Sequence, residues 1–377
     1  MCVPNTYEKA SVPHYQPKSS EPLSMMKRVL MILIFLSHFS FGQQQDRESV
    51  LHSKLTKYLE QQADSGFAFS VLISLNGKVI LQDGYGWTDS SHTTRATART
   101  LYNLASITKS FTSIAIYALA AQGKLHLEDT ITKYFRNVPA DKKSITLNEL
   151  LVHTTGLQQH YIADDISDRD SAVQRILSDT LLYFPGSHFS YSDENYELLG
   201  AIVEIVTHES YESSIRSLVI NQADMEDTRF WAEVPGPHSP STASMNRVLD
   251  PQTLARNWGY IGSGGIYSNV LDLYSWFTAL RQGMILDSAS REDMWKIRHQ
   301  SSVSDVGIAS GWFRSAYSGH NEIWTRGNED WGHNGVLRWF PDSGLLIIVQ
   351  SNSGERKDKS ATPNRFISDG IADILLH

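Results

Sequence analysis

The 377-residue chain holds a single cysteine, Cys2. One cysteine cannot close an intrachain disulfide, and its place at the extreme N-terminus removes it from any core or site built later in the chain, so cysteine chemistry is excluded. No His-Glu-x-x-His occurs, and His153 and His160 have no carboxylate or third histidine at a recognised ligand spacing, so no metal and no other cofactor is expected. The missing Gly-x-Ser-x-Gly excludes the nucleophile turn of α/β-hydrolases, and the lone glycine pair Gly84 and Gly86 carries no phosphate-loop meaning. Blocks of Lys and Arg are also absent and the net charge is −8, which argues against nucleic acid or an anionic membrane as partner and in favour of a small molecule or peptide. Repeats, low-complexity tracts and a Pro/Gly/Ser linker are lacking too, so one unit is expected. The oligomeric state is left open.

What is present is enough for a large core, with 41% hydrophobic and 10% aromatic residues. Residues 1–42 stand apart. Lys27 and Arg28 precede a short apolar run, Val29 to Leu36, and small Ser40 and Gly42 precede Gln43, the pattern of a signal peptide over about 25–42. The run is too short to span a bilayer, which takes about 20 residues, so no stable membrane span is expected after cleavage. The segment ahead of Met25 is polar and patternless. The expectation is an exported chain, periplasmic or secreted, folded over 43–377; the leader holds four basic and two acidic residues, which leaves that part at −10.

An amphipathic helix is predicted around Glu48 to Gln62. Two β-rich runs follow around Asn76-Gly77, a dipeptide suited to a type I′ hairpin. Near the other end, two more runs flank Pro341-Asp342-Ser343-Gly344, and a helix is predicted over Asn364 to Leu376 with Phe366, Ile367, Ile371 and Ile374 on one face. Between them the apolar spacings are mostly helical. The pattern predicts an α/β chain of the α+β type: an antiparallel β-sheet flanked by helices, its halves at about 43–124 and 252–377, with a helical insert at about 125–251.

Three stretches carry chemistry. In Asn103 to Leu125, Ser106 and Lys109 stand three residues apart at the start of a helix that is apolar almost all round beyond Ile114. A buried lysine is costly unless paired or neutral, and an amine one turn from a hydroxyl can activate a serine. Ser-x-x-Lys also arises by chance, as at Ser24 to Lys27. Further on, Tyr191 and Asp193 precede an apolar helix, and His333-Asn334-Gly335 opens a strand.

Together, Ser106-Ile107-Thr108-Lys109, Tyr191-Ser192-Asp193 and His333-Asn334-Gly335 resemble the serine β-lactamase and penicillin-binding-protein superfamily, in its class C β-lactamase-like branch. Leu150 to Leu157, Ser190 to Gly200 and Gly262 to Leu273 look similar as well, so the resemblance covers nearly all of 43–377. Tyr267-Ser268-Asn269 matches the family's Tyr-x-Asn more literally, but Tyr191 lies in the family-like context and is preferred.

The resemblance implies a β-lactamase/transpeptidase-like fold and an acyl-enzyme on Ser106, with the proton shared by Lys109 and Tyr191 and with His333 as the third catalytic position. It implies an oxyanion hole from the backbone N–H groups of Ser106 and Val336, with Asp193, Asn334 and Gly335 on the substrate. Asp193 departs from the usual Asn, and a carboxylate facing Lys109 would favour the ammonium, leaving Tyr191 as the working base. His333 stands where β-lactamases usually carry Lys, which disfavours efficient β-lactam hydrolysis. The family's His-bearing members include D-Ala-D-Ala carboxypeptidase-like, D-amino-acid peptidase-like and esterase-like enzymes. The expectation is a serine hydrolase acting on a small amide or ester; the alternatives are a class C-type β-lactamase and a non-catalytic peptide-binding homologue. Trp258, Trp312, Trp324 and Trp331 could line an apolar cleft wall, although core packing suits each of them.

Overall fold

The computed structural model describes residues 49–234, 257–301, 304–329, 332–353 and 363–377, together with Met1 and Ser11. The leader expected at 25–42 and the end of the insert at 235–251 lie outside the described residues. Met1–Ser53 and Lys54–His377 form separate compact units, and the chain is helical over 49–64, α1.

The larger unit is organised by an eight-stranded sheet. β1 (Phe69–Leu75) and β2 (Lys78–Tyr85) form the first hairpin, and Asn76 and Gly77 between them have φ of 52° and 80°. Both left-handed residues are what a type I′ turn requires, which explains the Asn-Gly choice. The other strands are β6 (His299–Gln300), β7 (Gly307–Ala309), β8 (Trp312–Tyr317), β9 (His320–Asn328), β10 (Asn334–Phe340) and β11 (Leu345–Ser351). The order is β2-β1-β11-β10-β9-β8-β7-β6, with antiparallel neighbours throughout. A three-stranded sheet, β3-β5-β4, joins Tyr102–Asn103, Ile266–Ser268 and Arg229–Phe230. Its two- and three-residue strands are too short to leave a sequence period.

The central strands are buried on both faces, so they read as continuous apolar runs. Leu72, Leu337, Leu346 and Ile348 join the main core with helices α2 (Thr108–Ala121) and α7 (Val270–Gln282). The alternate residues Val71, Ile73, Ile347 and Val349, equally buried, point to the other face. The remaining helices are α3 (Leu147–Leu151), α4 (Arg169–Ser178), α5 (Asp193–Thr207), α6 (Tyr211–Ile215), α8 (Ser288–Met294) and α9 (Pro363–Leu376). Helix α9 packs on β10 and β11 through Ile367, Ile371 and Ala372, whereas Phe366 of the expected face is exposed and Ile374 only half-buried.

An ion-pair network fixes α9 to the sheet. Arg338 on β10, fully buried, meets Glu322 of β9 at 2.7 Å and Asp369 of α9 at 2.7 Å. Removing Glu322 leaves the buried Arg338 with only the part-exposed Asp369 as counter-charge, so Glu322→Ala is expected to lose about 2 to 3 kcal/mol in chemical denaturation. A loss under about 1 kcal/mol would contradict that burial.

Candidate active site

Helix α2 is buried almost all round, from Thr108 to Leu119, and runs through the core. Its first turn follows a 3₁₀ turn, Ala105–Ile107, in which Ala105 takes φ of 46° and donates its N–H to Asn103 Oδ1 at 2.5 Å. A left-handed alanine is an uncommon backbone state held by its surroundings. It presents Ser106, half-buried, at the mouth of the helix.

Lys109, one turn on and almost fully buried, donates to Ser106 Oγ at 3.0 Å and to the Ser263 carbonyl at 2.9 Å. Asp193 Oδ1 lies 2.5 Å from its Nζ. The Tyr191 hydroxyl donates to Ser106 Oγ at 2.6 Å, and its ring stacks on His153 with centroids 4.5 Å apart. Ser106, Lys109, Tyr191 and Asp193 therefore converge. Tyr267 lies in β5, buried and bonded to the Asn103 side chain.

Charge follows from these contacts. Burial opposes the Lys109 ammonium, but Asp193 and Tyr191 outweigh it and raise its pKa above the ordinary lysine value. Burial works against the Asp193 carboxylate too, and Lys109 overrides it, so Asp193 is held below the usual range. Tyr191 is raised, chiefly by burial, with Lys109 opposing and Asp193 adding to the rise. His153 is pushed down to about 3 by burial and by Lys109, so its ring is neutral. The resting site thus holds an ammonium, a carboxylate and a neutral phenol.

The third stretch is placed elsewhere than the resemblance implied. His333 is buried at the start of β10, its Nδ1 accepts the Asn103 N–H at 2.8 Å, and its ring lies against Tyr102 and Tyr267. Asn334 accepts the N–H of Asn364 in the first turn of α9, Gly335 lies close against the Gln350 side chain, and Val336 is an interior residue paired with Arg326 and Val349. None of the four faces Ser106, because β9 lies between β10 and the nucleophile. A Cβ on Gly327 of β9 would stand 2.8 Å from Ser106 N and 2.1 Å from Leu104 O. The wall beside the serine is therefore Thr325-Arg326-Gly327-Asn328.

Register shows what that wall offers. The Glu329 N–H bonds the His333 carbonyl, so along β9 the N–H groups of residues 329 and 327 point toward β10. Those of Arg326 and Asn328 point the other way, where pairing with β8 has ended at Phe313–Trp324. Arg326 is exposed, forms no ion pair among the described residues, and holds its guanidinium 5.7 Å from the Trp324 ring. A cavity of about 410 Å³ opens above Ser106, walled by Tyr161, Phe189, Phe313, Trp324, Arg326 and Asn328. Of the tryptophans named above, Trp324 lines it, Trp258 and Trp312 are buried in the main core, and Trp331 lies outside the described residues. Sequence reasoning missed Gln159, Ser263, Arg326, Gly327 and Asn328. Only Gly327 left a signal, a residue-x-Gly pattern in a strand, and it has no Lys or His ahead of it.

An antiparallel sheet flanked by helices, with a serine, a lysine and a tyrosine meeting at the head of a buried helix, defines a penicillin-binding-protein/β-lactamase-like fold. A sequence model of the Beta-lactamase family matches residues 51–370. The chain belongs to that family, which is one of serine hydrolases. Protein flp of Staphylococcus aureus (strain MW2) is 37% identical over 170 residues, 43% of this chain and 34% of the relative, so the chain spans about a third of that protein's length. PbpX of Bacillus subtilis (strain 168) is 26% identical over 319 residues, 84% of this chain and 77% of the relative. The D-amino acid amidase from Ochrobactrum anthropi SV3 shares the fold with a TM-score of 0.72 at 21% identity, over 85% of this chain and 99% of that one.

Proposed function

We propose that this chain is an exported serine hydrolase of the class C-like branch, forming an acyl-enzyme on Ser106 from a small amide or ester, with a D-amino-acid peptide or a carboxylic ester as the favoured substrate. The observation that carries the reading is the meeting of Tyr191 and Lys109 on Ser106 Oγ, at 2.6 and 3.0 Å. The leader pattern at 25–42 supports export, and among the described residues no helix is long and apolar enough to cross a membrane. The D-amino acid amidase likeness fits an amide substrate.

Two hydrogen bonds are donated to Ser106 Oγ, so its own proton has an acceptor only after Tyr191 has lost its proton. Tyr191 then takes the proton as Oγ bonds the carbonyl carbon, and passes it to the leaving amine or alcohol as the C–N or C–O bond breaks; the charged Lys109 stabilises the phenolate before and after that transfer. The developing oxyanion lies between the N–H groups of Ser106 and Asn328, the second taking the role first expected of Val336. Water then hydrolyses the ester bond to Ser106 by the reverse proton path. Arg326, which has no ion-pair partner among the described residues, supplies the cation that His333 does not, and it favours a substrate carrying an anionic group beside an apolar one.

The rate should rise with pH through neutrality, because the base form is the minor one. Asp193 raises the pKa of both Lys109 and Tyr191, so whichever serves as base, Asp193→Asn lowers it. The acidic limb of kcat/KM is expected to move down by about one to three pH units, the usual effect of one charge at such range. A limb that stays or moves up would contradict the geometry.

The test of the function is intact-mass analysis after exposure to a fluorophosphonate and, separately, to a penicillin. An adduct mapped to Ser106 supports the hydrolase reading, and a persistent penicilloyl adduct points to a peptidase-like site. A folded protein labelled by neither would sink the reading.

A further inference from the structure

Residues 158–160 and 192–194 are stitched together beside the nucleophile. Ser192 Oγ donates to the Gln158 carbonyl at 3.2 Å, and the His160 N–H donates to Glu194 Oε1 at 2.9 Å. Between these, one side-chain amide grips one residue twice: the Asp193 N–H donates to Gln159 Oε1 at 2.6 Å, and Gln159 Nε2 donates to Asp193 Oδ2 at 2.8 Å. The backbone N–H can meet only an oxygen, so this pairing fixes which end of the amide is which. It leaves Oδ1 aimed at Lys109.

We infer that Gln159 is a positioning residue that holds the Asp193 carboxylate against Lys109, and through it sets the protonation of the groups around Ser106. The inference rests on the hydrolase reading above. Asp193 borders the open cavity with 17% of its side chain exposed, so water competes for it. The free N–H groups of the first turn of α5 compete as well. The other titratable groups that interact with it are Lys109 of α2, His153 after α3, Asp164 of the following loop, Tyr191, Glu197 of α5 and Tyr260; Glu194 is its chain neighbour. Three of these are acidic and repel it or stay protonated, and His153 is neutral. Among the described residues, Lys109 and Gln159 are the groups that hold it inward. Release of either oxygen would let the carboxylate turn to solvent, and the site would then resemble one with a neutral residue at 193.

The experiment is a double-mutant cycle read by the pH dependence of fluorophosphonate labelling at Ser106. Gln159→Met keeps length and bulk and removes both hydrogen bonds. It is expected to move the acidic limb down by about half a unit to one unit, in the direction of Asp193→Asn. In the Asp193→Asn background it is expected to move the limb no further, because the charge it positions is gone. Gln159→Glu keeps the oxygen that receives the Asp193 N–H and adds a negative charge, so its limb should move up. Equal rate losses in both backgrounds with an unmoved limb would show that Gln159 only braces the loop, and would overturn the inference while the labelled wild type upheld the hydrolase reading. A wild type unlabelled at every pH would bring down both.

Discussion

Ser106→Ala is expected to abolish turnover, with kcat falling by a factor on the order of a million, the loss seen when an acyl-forming serine is removed from a cooperating set. The fluorophosphonate adduct should vanish with it. The variant is a clean one for physical reasons. Ser106 is half-buried, and the 3₁₀ turn around it is held by bonds that do not use its hydroxyl, Ala105 N–H to Asn103 Oδ1 and Ile107 N–H to the Leu104 carbonyl. Lys109 keeps the Ser263 carbonyl and Asp193 when Oγ is gone, so no buried charge is stranded. Lys109→Ala would lack that virtue, since it leaves the Asp193 carboxylate without its counter-charge. Thermal unfolding of Ser106→Ala should therefore stay near the wild type while activity disappears. Retained hydrolysis, or an adduct still formed and mapped to another residue, would remove Ser106 from the mechanism.

Much of this arrangement is legible along the chain, and the reason is that it is local. Asn76-Gly77 states its own turn, and Ser106 and Lys109 are joined by one turn of a helix whose apolar surround marks it as buried. Tyr191 could be chosen over Tyr267 because each lies in a recognisable segment, and the structure places Tyr191 on Ser106 and Tyr267 in the small sheet. Asp193 could be foreseen beside Lys109 only through the resemblance, which sets it where the family usually carries Asn; charge then says what it does there. The third wall could not be read in this way. Two successive strands each carry a residue-x-Gly stretch, Thr325-Arg326-Gly327 and His333-Asn334-Gly335, and which of them borders the serine depends on sheet order. Order is set by the pairing of β1 with β11, between residues hundreds of positions apart, on top of the local hairpin of β10 with β11. The tripeptide with a histidine resembled the family's motif more closely, yet β9 is the strand that reaches the nucleophile.

Gly327→Ala and His333→Ala separate those two strands by experiment, and the expected effects differ widely. A methyl group at 327 would stand 2.1 Å from the Leu104 carbonyl and 2.8 Å from Ser106 N, both backbone atoms of the turn that presents the nucleophile. Neither can swing aside as a long side chain would, so β9 or the 3₁₀ turn must retreat. A displacement of about 1 Å in a reacting group typically costs on the order of a hundredfold in rate. Gly327→Ala is expected to lose at least that in kcat/KM, with the oxyanion donors of Ser106 and Asn328 forced apart. His333→Ala removes a buried ring and the acceptor of the Asn103 N–H, so it is expected to lower stability. Measured per folded molecule, by titrating Ser106 with the fluorophosphonate, it should keep kcat/KM within a few-fold of the wild type. The reverse result, chemistry lost at 333 and kept at 327, would return the wall of the site to β10. The expected result makes Gly327 the residue whose missing side chain lets a strand approach a serine closely enough to share an oxyanion with it.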